Sequence, residues 1–100
     1  MTVKVYMRVQ ETMEHYLVAM CDKGLLNKTL VKGDLEFKVN PEFYGDELVQ
    51  IDECLEHLKK ATIVNMVGKT TVDAAMEAGM VHKSAVVYIE GHPHAQWLQL

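Results

Sequence analysis

The sequence predicts a mixed α/β (α+β) fold in one domain over residues 1–100, with an N-terminal antiparallel β-meander followed by two helices and one or two further strands. Apolar and polar residues alternate in the first 40 residues, as in strands with one buried face. Apolar residues recur at three- and four-residue spacing later in the chain, as in amphipathic helices. A chain of 100 residues with 49% hydrophobic and 24% charged residues suits one globular domain.

Three strands are predicted in the first part of the chain. Residues 2–10 alternate apolar and polar side chains, and the polar residues 11–14 predict a hairpin turn. Residues 16–21 are more continuously apolar, which indicates a second strand at the centre of the sheet. Residues 35–39 alternate again after a turn signal at 32–34, and they predict the third strand of the meander.

Two amphipathic helices are predicted in the second half of the chain. The first has Ile51, Leu55 and Leu58 on one stripe, with Asp52 as its N-cap. The second runs from Thr71 to Gly79, where the glycine predicts its C-terminus.

The segment 61–68 between these helices is compatible with a strand or a helix. The β-branched residues at 62–64 favour a strand. Val64, however, also shares one helical stripe with Thr71 and Ala75. The strand is the preferred interpretation, and the helix stays open as the alternative.

A last strand and a polar loop are predicted at the end of the chain. Residues 85–89 are apolar, and Pro93-His94-Ala95-Gln96 after them is too polar for a core. If 61–68 is a strand, Gly68 lies at its carboxyl end, where open α/β sheets commonly bind ligands. The last strand is then expected to run parallel beside it, which would bring His94 near Gly68.

Charge and composition argue against several classes of protein. The net charge is −4, and the basic residues are scattered and include one arginine, which argues against direct nucleic-acid binding. Two cysteines do not make a disulfide framework. No segment approaches the roughly 18 apolar residues of a membrane helix, and the N-terminus lacks the apolar core of a signal peptide. We therefore expect a cytoplasmic protein without membrane contact.

Gly68-Lys69-Thr70 has the form of the end of a phosphate-binding loop. The full motif requires a glycine five residues before Gly68, and that position is Ile63. Without that glycine the backbone amides cannot enclose a phosphate, so a turn into a capped helix is the preferred interpretation. The helix N-terminus would still favour an anion.

Metal or thiol chemistry is a weaker alternative. Cys54 and His57 share one helix face, and one residue separates His92 from His94, so four zinc-type ligands are present. Nothing in the sequence brings the two pairs together. Cys54 and His57 as nucleophile and base would lack a third orienting residue. We predict no metal, no other cofactor and no assembled catalytic set.

Polar residues in loops are the predicted binding residues. Pro93 fixes a loop in which His94 and Gln96 offer hydrogen-bond donors and acceptors. The complete predicted set is Tyr44, Asn65, Gly68, Lys69, His94 and Gln96. The apolar residues Trp97, Leu98 and Leu100 either fold back on the core or contact a partner or a second copy.

The chain also resembles an archaeal family of small proteins known as domain of unknown function 424. The resemblance extends over nearly the whole length. It is carried by Cys21-Asp22, Leu25-Leu26, Lys28-Thr29, Gly33, Val39-Asn40, Phe43-Tyr44-Gly45, Leu48, Ala61-Thr62-Ile63, Asn65, Val67-Gly68, Val72, Gly79 and Pro93-His94-Ala95-Gln96. Asn27 departs from the family pattern, as does Lys69-Thr70, and the second departure argues further against a phosphate loop.

The resemblance implies an archaeal cytoplasmic protein with no established activity and an association with translation. His94 and Gln96 match the family pattern, which favours them as binding residues. Cys54, His57 and His92 lie outside the pattern, so a metal site built on them would be particular to this protein.

The prediction from the sequence is therefore a non-enzymatic binding or adaptor protein with a protein partner in the translation machinery. One alternative is a small enzyme or ligand-binding protein that uses a crevice near Gly68, with His94 as acid or base. The other is a self-associating structural protein whose homodimer contact is formed by Trp97, Leu98 and Leu100.

Overall fold

The computed structural model describes residues 3–99, and over this range it confirms the mixed α+β class with eight strands and three helices. The strands are β1 (Lys4–Glu11), β2 (Tyr16–Cys21), β3 (Thr29–Lys32), β4 (Leu35–Lys38), β5 (Leu48–Gln50), β6 (Ile63–Val67), β7 (Val87–Ile89) and β8 (His92–Leu98). The helices are α1 (Pro41–Tyr44), α2 (Ile51–Leu58) and α3 (Lys69–Glu77), and a 3-10 turn covers Lys83–Ala85. Within residues 3–99, none of the helices has the length and apolar character needed to cross a membrane.

Six strands form one sheet in the order β5-β1-β2-β6-β8-β7. Neighbouring strands are antiparallel except for the parallel pair β2 and β6. One side of the sheet, here called the helix face, packs against α2 and α3. The other side, here called the hairpin face, is partly covered by α1 and the β3–β4 hairpin. Because side chains alternate along a strand, consecutive residues of each strand point to opposite faces.

The third predicted strand exists, but it does not extend the meander. β4 pairs with β3 in a separate two-stranded sheet, in which Lys32 is opposite Leu35. Gly33 adopts a positive φ of 61°, which glycine tolerates, and the tight turn there makes the two flanking strands pair locally. β5 takes the place beside β1.

The segment 61–68 is confirmed as a strand, because β6 spans Ile63–Val67. Val64 and Met66 are fully buried on the helix face, while Val67 is fully buried on the hairpin face. A strand that is covered on both faces carries apolar residues on both, and apart from Asn65 this holds for β6, which explains why its sequence lacks a clear period.

The prediction for the end of the chain is wrong in two respects. Residues 93–96 belong to strand β8 rather than to a polar loop. The predicted strand at 85–89 corresponds to β7, and β8 lies between it and β6. Proline fits at position 93 because no neighbouring acceptor needs its N–H. The Pro93 carbonyl accepts from the Gly68 N–H, and the Gly68 carbonyl accepts from the Val72 N–H instead of from residue 93. The N–H that proline lacks therefore leaves no acceptor unpaired.

The predicted N-cap of α2 is also wrong. Gln50 occupies the cap position without a side-chain hydrogen bond, and Asp52 lies in the first turn. A carboxylate in the first turn still complements the positive end of the helix dipole, so Asp52 stabilises the same helix end from a different position.

Candidate functional site

Four of the predicted binding residues form one hydrogen-bonded group on the hairpin face, here called the amide cluster: Tyr44, Asn65, His94 and Gln96. Tyr44 Oη donates to Asn65 Oδ1 over 2.5 Å. His94 Nε2 lies 3.2 Å from the same oxygen. Asn65 Nδ2 donates to Gln96 Oε1 over 3.3 Å. Asn65 is therefore the centre of the group.

The register of the central strands brings the amide cluster together. Asn65 and Gln96 are opposite each other in the β6–β8 ladder, and His94 lies two residues before Gln96, so all three side chains point to one face. Tyr44 is the buried last residue of α1, and the Asn40 side chain caps the first turn of this helix. The short helix thus holds the Tyr44 hydroxyl over β6.

Burial keeps the amide cluster uncharged. Desolvation raises the pKa of the Tyr44 hydroxyl well above its ordinary value, and it lowers the pKa of His94. Tyr44 therefore remains a donor at neutral pH, and Asn65 Oδ1 is an acceptor. Because a neutral His94 ring can approach that oxygen only as a donor, its proton lies on Nε2. The Phe37 ring meets the His94 ring edge-on, with centroids 5.2 Å apart, and shields it from water.

The amide cluster opens on one side into a depression of about 380 Å³, here called the Leu98 groove. The groove is lined by Phe43, Ile63, Val64, Asn65, Gln96, Trp97 and Leu98. Asn65 and Gln96 are its polar lining, and Leu98 is 57% exposed at its end. The lining has no charged side chain and does not include His94.

The predicted anion site at the start of α3 is occupied by a carboxylate of the chain itself. Asp22 Oδ2 accepts from the Thr70 amide over 3.0 Å, and Asp22 Oδ1 accepts from the Thr71 amide over 2.9 Å. The same Oδ1 accepts from the Thr71 hydroxyl over 2.8 Å. Asp22 therefore supplies the negative charge that a helix N-terminus favours, and these amides do not face solvent as free donors.

Gly68 and Lys69, the other two predicted binding residues, lie outside the amide cluster. Gly68 is buried against Asp22, and the exposed Lys69 pairs with Asp73 over 2.6 Å. The crevice beside them has a volume of about 490 Å³ and is lined by Asp22, Gly24, Leu25, Lys28, Lys69, Gly91 and His92. His94 is close to Gly68 along the ladder, but it does not line this crevice.

The four candidate metal ligands lie in two separate places. Cys54 and His57 belong to α2 on the helix face, whereas His92 and His94 belong to β8 and point to the hairpin face. Burial raises the pKa of the Cys54 thiol to about 12, and His57 Nδ1 lies 2.6 Å from Tyr16 Oη. In the chain from residue 3 to residue 99, no three His, Cys, Asp or Glu side chains are grouped as metal ligands.

The terminal apolar residues have different surroundings. Trp97 points to the helix face and packs against the core, whereas Leu98 points to the open groove. Leu100 lies outside the described residues. Of the predicted dimer contact, Leu98 is thus the residue with a large exposed apolar side chain in the described part of the chain.

The family of the chain follows from residues 10–100, which match the model of a family described as Protein of unknown function (DUF424). The matched segment contains the whole amide cluster and the Asp22 cap. The chain belongs to the DUF424 family. This confirms the resemblance found in the sequence. A comparison with curated proteins gave no match.

A solved structure shares the fold of this DUF424 chain. It is described as the crystal structure of an uncharacterized conserved protein from Methanopyrus kandleri, with a TM-score of 0.82 and 19% sequence identity. The alignment covers 98% of this chain and 95% of the other. At this identity the likeness concerns the fold alone.

His94 is expected to make the stability of this DUF424 chain depend on pH. Because burial lowers its pKa in the folded state, the unfolded chain takes up a proton first as the pH falls. The stabilisation is therefore present above pH 6.5, the ordinary histidine value, and is lost as the pH falls below it. His94→Gln should make the free energy of unfolding in urea fall less between about pH 7 and pH 5. His82→Gln in the exposed 82–85 turn is the control, and equal slopes for the native and His94→Gln proteins would contradict the assignment.

Proposed function

We propose that this DUF424 protein is a non-enzymatic adaptor that acts in the archaeal cytoplasm and binds a protein of the translation machinery through the Leu98 groove. One observation carries the proposal: an open apolar groove ends at two fixed side-chain amides. Phe43, Ile63 and Leu98 supply apolar contact area, and Asn65 and Gln96 supply hydrogen-bonding groups. This combination of an apolar pocket with a few oriented polar groups is typical of binding sites.

The amide of Gln96 is oriented for a partner. Its Oε1 accepts from Asn65, so the exposed Nε2 is turned away from that bond, and within residues 3–99 it has no acceptor. An outward donor beside exposed apolar side chains suits a partner segment that brings an apolar side chain and a backbone carbonyl.

The uncharged lining supports a protein partner over a nucleic acid. Binding to phosphates requires clustered lysine or arginine, and the Leu98 groove has neither. The association with translation rests on the family resemblance, and the groove supports only the class of partner.

The chemistry of the amide cluster supports binding over catalysis. Tyr44 and His94 are both neutral, and His94 Nε2 is directed at Asn65 rather than into the Leu98 groove. Burial raises the pKa of the nearby Cys21 thiol to about 12, which disfavours the thiolate needed of a nucleophile. No group of the cluster is thus prepared to attack a substrate or to transfer a proton into the groove.

An affinity pull-down from an archaeal lysate tests the proposal, with and without ribonuclease and with the native chain, Leu98→Glu and Met13→Glu as baits. Met13 is fully exposed in the β1–β2 turn and does not line the groove, so Met13→Glu adds the same charge outside the proposed contact. We expect ribosomal proteins or initiation factors to remain after ribonuclease and to fall about tenfold or more with Leu98→Glu alone. Loss of all partners on ribonuclease treatment would mean that RNA holds the complex, and equal capture by all three baits would place the contact elsewhere.

A further inference from the structure

The edge strand β7 carries one open backbone donor and acceptor. β7 pairs with β8 so that Tyr88 is opposite Pro93. The Pro93 carbonyl is directed to the other side, where it accepts from Gly68 over 2.9 Å. In an antiparallel ladder, the backbone N–H and C=O groups of two opposite residues either bond to each other or both point away from the pair. The N–H and C=O of Tyr88 therefore point outward, away from the sheet.

Exposed apolar side chains surround this open position. Leu35 is 73% exposed, Tyr88 58% and Val87 47%. A depression of about 430 Å³ lies between the β3–β4 hairpin and β7, and it is lined by Lys32, Leu35, Glu36, Phe37, Val87 and Ile89. Proteins normally protect a sheet edge with charges or proline, and β7 has the uncharged sequence Val-Tyr-Ile.

From this geometry we propose that two copies of the chain form a homodimer by antiparallel pairing of their β7 strands around Tyr88. A twofold axis at this residue lets each Tyr88 N–H donate to the Tyr88 carbonyl of the other copy. In this register Val87 of one copy is opposite Ile89 of the other, so the apolar linings of the two depressions become continuous. The two six-stranded sheets join into one, as in other cases of strand addition.

Charge favours a second copy at β7 rather than at the other sheet edge. The depression beside β7 is lined by one positive and one negative residue, Lys32 and Glu36, so it has no net charge. The same patches of two copies therefore do not repel each other. The opposite edge, β5, is flanked by acidic residues on both sides, at 46–47 and 52–53. Two copies that met there would bring like charges together.

Light scattering after size-exclusion chromatography, over a range of concentrations, tests the homodimer. The native chain should show twice its monomer mass. Val87→Glu, which buries two charges at the contact, should raise the dissociation constant at least tenfold. Tyr88→Pro removes the outward N–H and the exposed tyrosine ring but no hydrogen bond of the β7–β8 ladder, and it should do the same. Far-UV circular dichroism checks that both variants fold.

Two controls separate this inference from the proposed function. Met13→Glu and Leu98→Glu lie away from β7 and should remain dimeric, so loss of the translation partner would leave the homodimer intact. A monomeric native chain at every concentration would overturn the proposal, as would a dimer that persists in both Val87→Glu and Tyr88→Pro. A monomer that captures a foreign strand at β7 would also overturn the second copy as its occupant.

Discussion

Gly68→Ala is expected to lower the free energy of unfolding by about 3–5 kcal/mol. Gly68 has φ 112° and ψ 150°, a region that is essentially restricted to glycine. An added Cβ would also lie 2.6 Å from the Asp22 Cβ and would overlap the Asp22 carboxyl group. The substitution would therefore strain the backbone and displace the cap of α3 together. Urea denaturation followed by circular dichroism measures the loss.

Gly24→Ala is the matched control for this substitution. Gly24 lies in the turn after β2, and no atom lies within 4 Å of a Cβ built there. We expect its effect to stay within about 0.5 kcal/mol of the native value. If Gly68→Ala were equally mild, the close approach of Gly68 and Asp22 would not be a stabilising feature of the fold.

Asp22→Ala is expected to destabilise the protein by about 2–4 kcal/mol. Its carboxylate accepts three hydrogen bonds, from the amides of Thr70 and Thr71 and from the Thr71 hydroxyl. Thr71 is fully buried, so its hydroxyl would lose its partner away from water. Asp22→Asn keeps one acceptor oxygen and should lose less. Urea denaturation of these variants against Asp46→Ala, an exposed carboxylate, measures the difference.

The effects of Gly68→Ala and Asp22→Ala on the free energy of unfolding should not be additive. In Asp22→Ala the carboxyl group that obstructs a Cβ at Gly68 is absent, so Gly68→Ala should cost less there than in the native chain, leaving mainly the backbone strain. Contacting residues typically show coupling of about 0.5–3 kcal/mol in a double-mutant cycle. Strict additivity would mean that Gly68 and Asp22 act independently.

Local patterns predicted the elements that lie within one uninterrupted stretch of sequence. β2 matches its predicted bounds, and β1 and β6 match theirs within a few residues, because alternation or β-branched residues mark strands directly. β8 was missed because Pro93, His94 and Gln96 together have the composition of a loop. Only the pairing with β6 shows that every second residue there is buried, as Pro93 and Ala95 are.

Long-range contacts in the candidate site could not be predicted in the same way. Tyr44, Asn65, His94 and Gln96 were identified as polar residues of separate segments, but their assembly depends on the register of β6 and β8. Asp22 begins the turn after β2, where its backbone carbonyl accepts from the Leu25 N–H. Its side chain caps α3, 48 residues later in the chain, and no rule based on the residue just before a helix can find such a cap.

Hydroxyl-radical footprinting of the chain alone and in complex with its captured partner tests the central claim most directly. If the partner occupies the Leu98 groove, Phe43 and Leu98 should lose reactivity in the complex, whereas the fully exposed Met13 should react equally in both states. Unchanged reactivity at Phe43 and Leu98, with protection elsewhere on the chain, would contradict the groove as the binding site.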